Sequence, residues 1–372
     1  MAEPLKNFYG PDIPLKVAAM IEPVYPGFDT ETFVGECLVG YEDLELTPRA
    51  RQISQCLGSH LPAAFGDAAR ILTASLGPPI AGDELIGQGM RSFVYLPYVY
   101  YVAEHGAGHW AAAMSFQHEL TQRMSCEYSI RVFIESDEER TMARLREWAA
   151  DDNPHVRRLV SEGTRPRLPW APRLRRFVAD PRPVFELLDL LKDDPSSMVR
   201  RSVANNLNDI GKDHPGVLTE VCRRWMDGGT PEREAMIRHA LRGAVKRGDR
   251  EALDILGYGS ASDVAVANMA VEPDVVAIGG QVRVSFTLIN ASPTSGKYNV
   301  DLKVHFVKAT GSTSSKVFKV RSVTLTPEEN VKLSKIISVA QHTTRTHHPG
   351  IHQLEVVVNG AVVAADSFRI TG

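Results

Sequence analysis

The hydrophobic pattern of this 372-residue chain changes its period near Gly257. Before that residue, apolar side chains recur at the spacing of amphipathic helices, as in ERTMARLREWAADD at 139–152. After it, apolar and polar residues alternate as they do in strands, beginning with VRVSFTLIN at 282–290. Since the two periods belong to different architectures, the chain is predicted to fold as an all-α part followed by an all-β part.

The alternating runs of the second part are separated by Gly, Pro, Asn and Ser, at intervals typical of an antiparallel sandwich. Four runs carry the pattern: 282–290, 300–307, 316–325 and 352–363. We therefore predict an immunoglobulin-like β domain at 264–372. The small-residue segment GYGSASD at 257–263 is predicted to be a linker that joins it to a helical domain at 1–256.

The helical part contains an internal repeat. WAADDNPHVRRLVSEG at 148–163 and LLKDDPSSMVRRSVANNL at 190–207 share an acidic pair, a Pro near a helix start and Val-Arg-Arg. Val156 and Val199 are 43 residues apart, within the roughly 40–47 residues of HEAT and armadillo repeats. Two degenerate copies complete the set, at 127–139 and 233–248. We expect a HEAT-like solenoid whose equivalent helices stack and present polar side chains to one concave surface.

The first 90 residues also carry helical periodicity, but no chemistry is recognisable in them. Prolines are expected to break these helices: Pro11, Pro14, Pro62, Pro78 and Pro79. The GQG at 87–89 is an incomplete glycine fingerprint outside a strand-turn-helix context, so a nucleotide site is not favoured there. A run of aromatic side chains is expected to serve packing rather than base stacking: Phe93, Tyr95, Tyr98, Tyr100 and Tyr101.

The composition is that of an ordinary globular protein with a net charge of −3, so overall charge does not indicate a nucleic-acid partner. The cysteines form no CxxC pair, and we expect free thiols in a reducing cytoplasm: Cys37, Cys56, Cys126 and Cys222. The N-terminus has no apolar signal core, and no stretch reaches the roughly 18 apolar residues of a membrane span. These features predict a soluble, cytoplasmic protein, which we expect to be monomeric.

Residues 153–183 concentrate positive charge, because they hold eight arginines, no lysine and only two acids, Glu162 and Asp180. The arginine fork matches phosphate oxygens, and such contacts supply most non-specific DNA affinity. The alternative is a solvated face whose arginines form ion pairs with neighbouring repeats. Phosphate contacts are expected from the segment and from related repeat positions: Arg157, Arg158, Arg165, Arg167, Arg200, Arg201, Arg238 and Arg242.

The segment TRPRLPWAPRL at 164–174 holds three prolines and cannot continue a helix. It places Trp170 on a stiff loop that begins just after Glu162. A buried structural tryptophan is one interpretation of this pattern. An indole beside a carboxylate in an arginine-rich surface also indicates a functional site, and both interpretations remain open.

These residues carry a resemblance to a known family. NPHVRRLVSEGTRPRLPWAPRL closely resembles the characteristic segment of the AlkC-type alkylpurine DNA glycosylases, a bacterial branch of the HEAT-like glycosylases related to the AlkD type. VRRSVANNLNDIGKDHP at 199–215 resembles the next repeat of that family, and the added immunoglobulin-like domain fits the AlkC type. The resemblance implies a base-excision-repair enzyme that removes N3-methylated bases, chiefly 3-methyladenine and 3-methylcytosine, from double-stranded DNA without full base flipping.

Carried over by motif, the family's site residues fall on Glu127 in SCEYSIR, Glu162 in LVSEGTRP, Trp170 in RLPWAP and Asp209 in NLNDIGK. Glu162 and Asp209 lie near the ends of equivalent helices, so stacked repeats are expected to bring them to one rim. Glu127 can also be read as an acid at a helix N-terminus, favoured by the macrodipole. Asp209 can also be read as a turn residue before Gly211.

The implied chemistry suits these residue types. Alkylation at N3 makes the base cationic and a good leaving group, and cleavage builds positive charge on the deoxyribose, as in glycoside hydrolysis. One carboxylate stabilises that charge, and a second orients or deprotonates the attacking water. An indole adds a polarisable contact with the cationic base. No metal or redox cofactor is expected.

The histidine-rich segment HTTRTHHPGIH at 342–352 has no fixed ligand spacing, so a metal site is not favoured. We expect instead a β-domain loop that touches DNA through Arg345, His347 and His352. A second class of function stays open, namely a non-catalytic binding module built from helical repeats and an immunoglobulin-like domain. The carboxylate–tryptophan–carboxylate group within an arginine-rich stripe favours the enzyme.

Overall fold

The computed structural model describes residues 5–82, 91–341 and 346–372, so the GQG motif and Arg345 lie outside the described residues. Within them the chain forms helices first and strands afterwards, which confirms the predicted fold class. The helices are α1 Asp12–Ile21, α2 Thr30–Cys37, α3 Leu46–His60, α4 Phe65–Ala74, α5 Leu96–His105, α6 Trp110–Thr121, α7 Ile130–Ser136, α8 Glu138–Trp148, α9 Pro154–Gly163, α10 Arg175–Ala179, α11 Arg182–Leu191, α12 Ser197–Ile210, α13 Pro215–Met226, α14 Pro231–Ala240, α15 Arg242–Arg247 and α16 Arg250–Ile255. The strands are β1 Val264–Glu272, β2 Val275–Ala277, β3 Gln281–Asn290, β4 Gly296–Val307, β5 Thr313–Leu325, β6 Asn330–Ser338, β7 Gly350–Val358 and β8 Ala361–Thr371. None of the described helices combines the length and the apolar character that crossing a membrane would require.

The repeat found in the sequence forms a row of neighbouring helices. The last three copies contain α9, α12 and α14, and α12 packs against both of the others. Before α9, the side chain of Asn153 accepts a hydrogen bond from the backbone of His155; before α12, Ser196 caps Val199 in the same way. Pro154 occupies the first turn of α9, where its missing N–H has no intrahelical acceptor. Equivalent helices therefore begin at equivalent residues of the repeat.

Two of the prolines expected to break the N-terminal helices lie next to helix ends. Pro11 immediately precedes α1, and Pro62 follows α3. The expectation that Pro14 breaks a helix is wrong, because this residue lies in the first turn of α1, where proline is tolerated. The central residues of the aromatic run are buried and serve the core: Tyr98, Tyr100 and Tyr101.

The β part is a sandwich of two sheets, with strand orders β1-β3-β6 and β2-β8-β7-β4-β5. Neighbouring strands run antiparallel except for β2 and β8. The interpretation of 352–363 as one alternating run is corrected by the structure, because β7 and β8 form a hairpin there. Asn359 and Gly360 make its turn with φ values of 47° and 82°, the left-handed conformations that a two-residue hairpin favours.

The chain divides into two compact units. One comprises Ala2–His214 and Gly229–Ala240, and the other contains Pro215–Gly228 and Leu241–Gly372. Helices α13, α15 and α16 therefore belong to the same unit as the sandwich. The period change of the sequence marks the point where helices give way to strands, whereas the packing groups the last helices with the sheets.

The predicted linker is held against strands of its own unit. Gly259 N donates to Lys297 O at 2.9 Å, and Asn359 Nδ2 donates to Gly259 O at 2.6 Å. After α15, the backbone of Gly248 runs so close to the β7–β8 turn that a Cβ on Gly248 would lie 2.8 Å from Gly360 Cα. The linker is therefore held by these hydrogen bonds, and the chain after α15 by close packing against the β7–β8 turn.

Candidate active site

Two carboxylates meet at the ends of neighbouring helices. Glu162 is the penultimate residue of α9, and Asp209 is the penultimate residue of α12. Arg165 joins them, because its Nη1 donates to Glu162 Oε1 at 2.5 Å and its Nε donates to Asp209 Oδ2 at 2.8 Å. The three residues are only 5%, 1% and 9% exposed, for Glu162, Asp209 and Arg165 respectively. The side-by-side packing of two repeats thus creates a buried acid–base–acid group.

Further charges extend this group into a row. Arg158 Nη2 lies 3.2 Å from Glu127 Oε2 and 3.8 Å from Glu162 Oε1. Lys212 Nζ lies 2.7 Å from Asp209 Oδ1. We call these six alternating charges the ionic row: Glu127, Arg158, Glu162, Arg165, Asp209 and Lys212. Its three carboxylates and three cations sum to zero charge.

Two serines donate hydrogen bonds to the row. Ser202 Oγ donates to Glu162 Oε2 at 2.5 Å, and Ser125 Oγ donates to Glu127 Oε2 at 2.7 Å. The sequence reasoning missed both, although Ser202 precedes Asp209 by about two helical turns and so shares its face of α12. That helical spacing is the signal that would have identified Ser202.

The surroundings of Glu162 keep it ionised. Burial raises the pKa of this carboxyl, but the charges of Arg158 and Arg165 and the hydrogen bond from Ser202 outweigh burial and hold its pKa below the ordinary value. Burial lowers the pKa of Arg165, and its two carboxylate partners more than compensate, so its pKa is raised. Glu162 and Arg165 are therefore both charged at neutral pH.

Trp170 lies exposed on the loop that follows α9. Its side chain is 74% exposed, so the interpretation as a buried structural tryptophan is wrong. Its φ of 64° is left-handed, a conformation that costs about 1–3 kcal/mol in a residue other than glycine. Leu174 N donates to Pro166 O at 3.2 Å and closes the loop at its base. The fold thus holds the backbone of Trp170 in a conformation that a free chain avoids, with its indole exposed.

Trp170 and Glu127 line one cavity of about 130 Å³. Glu127 is the most accessible carboxylate of the ionic row, with a side chain 29% exposed against 7% for Glu162 and 2% for Asp209. The other walls are largely apolar and aromatic, including Leu46, Phe93, Leu96, Val99, Tyr100 and Tyr128. A cavity of this size accommodates about one small aromatic ring.

Most arginines of 153–183 pair with acids, and six of the eight form ion pairs. The guanidinium of Arg157 donates hydrogen bonds to both carboxylate oxygens of Asp194, at 2.6 and 2.9 Å. That of Arg167 donates to both oxygens of Asp213, at 2.6 and 2.5 Å. Both of these acids lie outside the segment. Ion pairing between repeats, the alternative left open by the sequence, therefore describes these arginines, and their contact with phosphate stays a prediction.

Other predicted arginines border a groove between α12 and α14. Arg200 and Arg201 line this open groove of about 490 Å³. Arg200 Nη1 donates to the carbonyls of Asp194 and Pro195, at 2.5 and 2.9 Å. Arg201 and Arg238 are exposed. Arg242 on α15 is exposed as well, so these three arginines are the predicted phosphate contacts most accessible to a ligand.

The histidines of the predicted DNA-contacting loop lie inside the sandwich. His347 is 3% exposed and packs edge-on against Phe306. His352 is fully buried, and its Nδ1 accepts a hydrogen bond from Val307 N at 3.2 Å. Burial withdraws both rings from solvent, so the structure does not favour direct DNA contact by either. Within the described ranges, no group of three or more His, Cys, Asp or Glu is arranged to hold a metal ion.

Two family models match the chain in the regions just described. Residues 121–247, which contain the ionic row and Trp170, match the family described as DNA alkylation repair enzyme. Residues 265–372, which form the sandwich, match the C-terminal Ig-like domain of the uncharacterised protein YhaZ. The first match covers the second half of the helical part, and the second covers the β part.

Two similar proteins cover nearly the whole chain. The "uncharacterized protein YhaZ" of Bacillus subtilis (strain 168) is 34% identical over 367 residues, which are 98% of this chain and 99% of that protein. The structure of Pseudomonas fluorescens alkylpurine DNA glycosylase AlkC bound to DNA containing an abasic site analog is 34% identical, with a TM-score of 0.90 over 100% of both chains. Fold, site and likeness together define an enzyme of the DNA glycosylase class. The chain belongs to the AlkC-type alkylpurine DNA glycosylase family, which confirms the resemblance seen in the sequence.

Proposed function

We propose that this protein removes N3-alkylated bases, namely 3-methyladenine and 3-methylcytosine, from double-stranded DNA by hydrolysing the N-glycosidic bond. The observation that carries the proposal is the exposed indole of Trp170 beside Glu127, where the ionic row reaches a ring-sized cavity. A pure binding scaffold built from helical repeats has no need of this grouping.

The charge of the substrate matches the site. An N3-alkylated base is cationic before cleavage, and bond breaking transfers positive charge to the sugar. Carboxylates whose positions are fixed in advance stabilise such a charge without reorganising during the reaction. Glu162 and Asp209 meet this condition, because both are buried and each is bound by Arg165 and by a second donor, Ser202 or Lys212.

We assign separate roles to the carboxylates. Glu162 and Asp209 stabilise the developing cation on the sugar. Glu127 is the carboxylate most open to solvent and lines the cavity, so it contacts the cationic base with Trp170 and orients the attacking water.

The size of the cavity supports excision without full flipping of the nucleotide. At about 130 Å³, the cavity is smaller than the roughly 300–1,000 Å³ of pockets that enclose whole ligands. The outward position of Trp170 lets it reach a base that stays near the duplex. Phosphate contacts are proposed first for Arg201 and Arg238, which are exposed, and then for Arg200 at the same groove.

The test is single-turnover release of 3-methyladenine from an alkylated duplex. Glu162→Gln and Asp209→Asn keep side-chain size and remove one charge, so we expect DNA affinity to persist and the rate to fall about 10²–10³-fold. Glu186→Gln is the matched control, because Glu186 lies on neighbouring α11 with a side chain 64% exposed. It should excise at the wild-type rate.

Two results would contradict the proposal. Wild-type rates in both carboxylate variants would assign the chemistry to other residues. An absence of base release by the wild-type protein, with normal folding and DNA binding, would leave the non-catalytic binding module as the better description.

A further inference from the structure

Arg131 of α7 is a buried cation that holds both ends of the loop carrying Trp170. Its Nη1 donates to Gly163 O at 3.1 Å and to Arg165 O at 2.7 Å, and its Nη2 donates to Pro172 O at 2.5 Å. The residue is 4% exposed. Two acceptors precede Trp170 and one follows it, so a single planar guanidinium fixes the separation of the loop ends.

We propose that Arg131 is a positioning residue for base excision, which sets the place of Trp170 relative to the carboxylates of the ionic row. This inference rests on the proposed function for its catalytic readout. Arg131 itself does not touch the cavity, and it acts through the backbone of the loop.

The same contacts connect the indole with the carboxylates. Arg165 presents its carbonyl to Arg131 and its side chain to Glu162 and Asp209. Gly163, the last residue of α9, directly follows Glu162 and also accepts from Arg131. One guanidinium is therefore the common anchor of the Trp170 loop and of the centre of the ionic row.

Only an arginine suits this position. Three carbonyls in different directions require donors in a fixed fork, whereas a lysine ammonium is a point charge on a flexible stem. Burial lowers the pKa of Arg131 to about 10, which still leaves it protonated at neutral pH. A lysine begins from a lower ordinary value of about 10.4, so the same burial would bring it closer to neutrality.

The chain offers a matched control for a purely structural role. Arg49 on α3 is 7% exposed and also donates to backbone carbonyls, those of Lys6, Tyr9, Leu44 and Glu42. It anchors N-terminal segments and does not line the cavity. Arg49→Lys and Arg131→Lys therefore remove the same kind of contact, but only the second affects the Trp170 loop.

A double-mutant cycle tests the proposal. Single-turnover excision is measured for Arg131→Lys, Trp170→Ala, the double variant and Arg49→Lys. We expect Arg131→Lys to lower the rate about 10- to 100-fold, as a misplacement of about 1 Å does, and to leave DNA affinity unchanged. In the Trp170→Ala background the same change should have little effect, and Arg49→Lys should excise at the wild-type rate.

A second readout needs no excision. The fluorescence of Trp170, isolated as the difference between each protein and its Trp170→Phe counterpart, should show faster anisotropy decay in Arg131→Lys than in wild type or Arg49→Lys. Arg131→Gln, which keeps an amide donor, replaces the lysine variant if that variant does not fold.

Three results would overturn the positioning role. The first is that Arg131→Lys and Trp170→Ala lower the rate additively, and the second is that Arg49→Lys lowers it as much as Arg131→Lys does. The third is that the anisotropy decay of Trp170 in Arg131→Lys is the same as in wild type. If the wild-type protein releases no base, the proposed function fails, while the anisotropy result still decides whether Arg131 orders the loop.

Discussion

Replacing Arg165 by methionine would remove the cation that joins two buried carboxylates. Removing one partner of a buried ion pair costs about 3–5 kcal/mol. Here Glu162 and Asp209 lose the same partner, although Arg158 and Lys212 stay within reach of one carboxylate each. We therefore expect Arg165→Met to reduce the free energy of unfolding by about 4 kcal/mol, a large share of the roughly 5–15 kcal/mol of a typical domain.

The loss should depend on pH in a defined direction. In the native protein the pKa of Glu162 is held below its ordinary value of 4.5. Its ionisation therefore contributes stability above that pH, and the contribution disappears as the pH falls through the lowered pKa. Without Arg165, burial of Glu162 is less well compensated and its pKa rises, so the variant loses less stability on acidification and the difference between wild type and variant should be larger near pH 7 than near pH 4.

Urea unfolding followed by circular dichroism, at pH values near 7 and near 4, measures both effects. Arg182→Met is the control, because Arg182 pairs with Asp180 at the surface, with side chains 85% and 41% exposed, and its replacement should change stability little. Sequence alone also allowed Arg165 to be a phosphate contact. If Arg165→Met unfolded at the wild-type urea concentration and only weakened DNA binding with a flatter salt dependence, the account of the ionic row would be refuted.

Three further predictions concern other parts of the molecule. Burial lowers the pKa of His352 from its ordinary 6.5. As the pH falls, His352 is therefore protonated in the unfolded state before it is in the folded state, and the sandwich should lose stability below pH 6.5. Equal urea midpoints near pH 7 and pH 5 would contradict this. Arg201→Ala and Arg238→Ala should each reduce the slope of log affinity against log salt by about one. Arg70→Ala, at an exposed arginine of α4, should keep the wild-type slope. Wild-type slopes in all three variants would remove Arg201 and Arg238 from the interface. Deleting the chain after residue 260 should destabilise the remaining helices, because α13, α15 and α16 share a compact unit with the sandwich; a cooperative thermal transition at the wild-type temperature would disprove that dependence.

The period change in the sequence predicted both parts of the fold because periodicity is a local property that each helix or strand expresses by itself. The 43-residue spacing of Val156 and Val199 likewise predicted adjacent helices with equivalent ends. The hairpin at Asn359 and Gly360 could have been predicted as well, since Asn-Gly is a strong hairpin signal. It was missed because alternation continues on both sides of the turn.

The partners of the arginines could not be predicted in the same way. Asp194 lies 37 residues from Arg157, and Asp213 lies 46 residues from Arg167. Which acid reaches which arginine depends on how the repeats stack, so a positive segment can be neutralised by charges far along the chain. The outward position of Trp170 is similarly decided by tertiary contacts of its loop, although its prolines did predict an irregular segment.

The order of charges along the ionic row makes it an electric dipole, even though its charges sum to zero. The negative pole is Glu127 at the cavity beside Trp170, and the positive pole is Lys212 at the opposite end. The field of a dipole decays faster with distance than that of a net charge, so only a cation seated close to Glu127 gains from it. A neutral ring in the same place gains far less, and mobile cations such as Mg²⁺ or polyamines are not drawn in from afar. We therefore expect the row to favour a positively charged ring over a neutral one at contact range, while the surrounding surface attracts an anionic polymer.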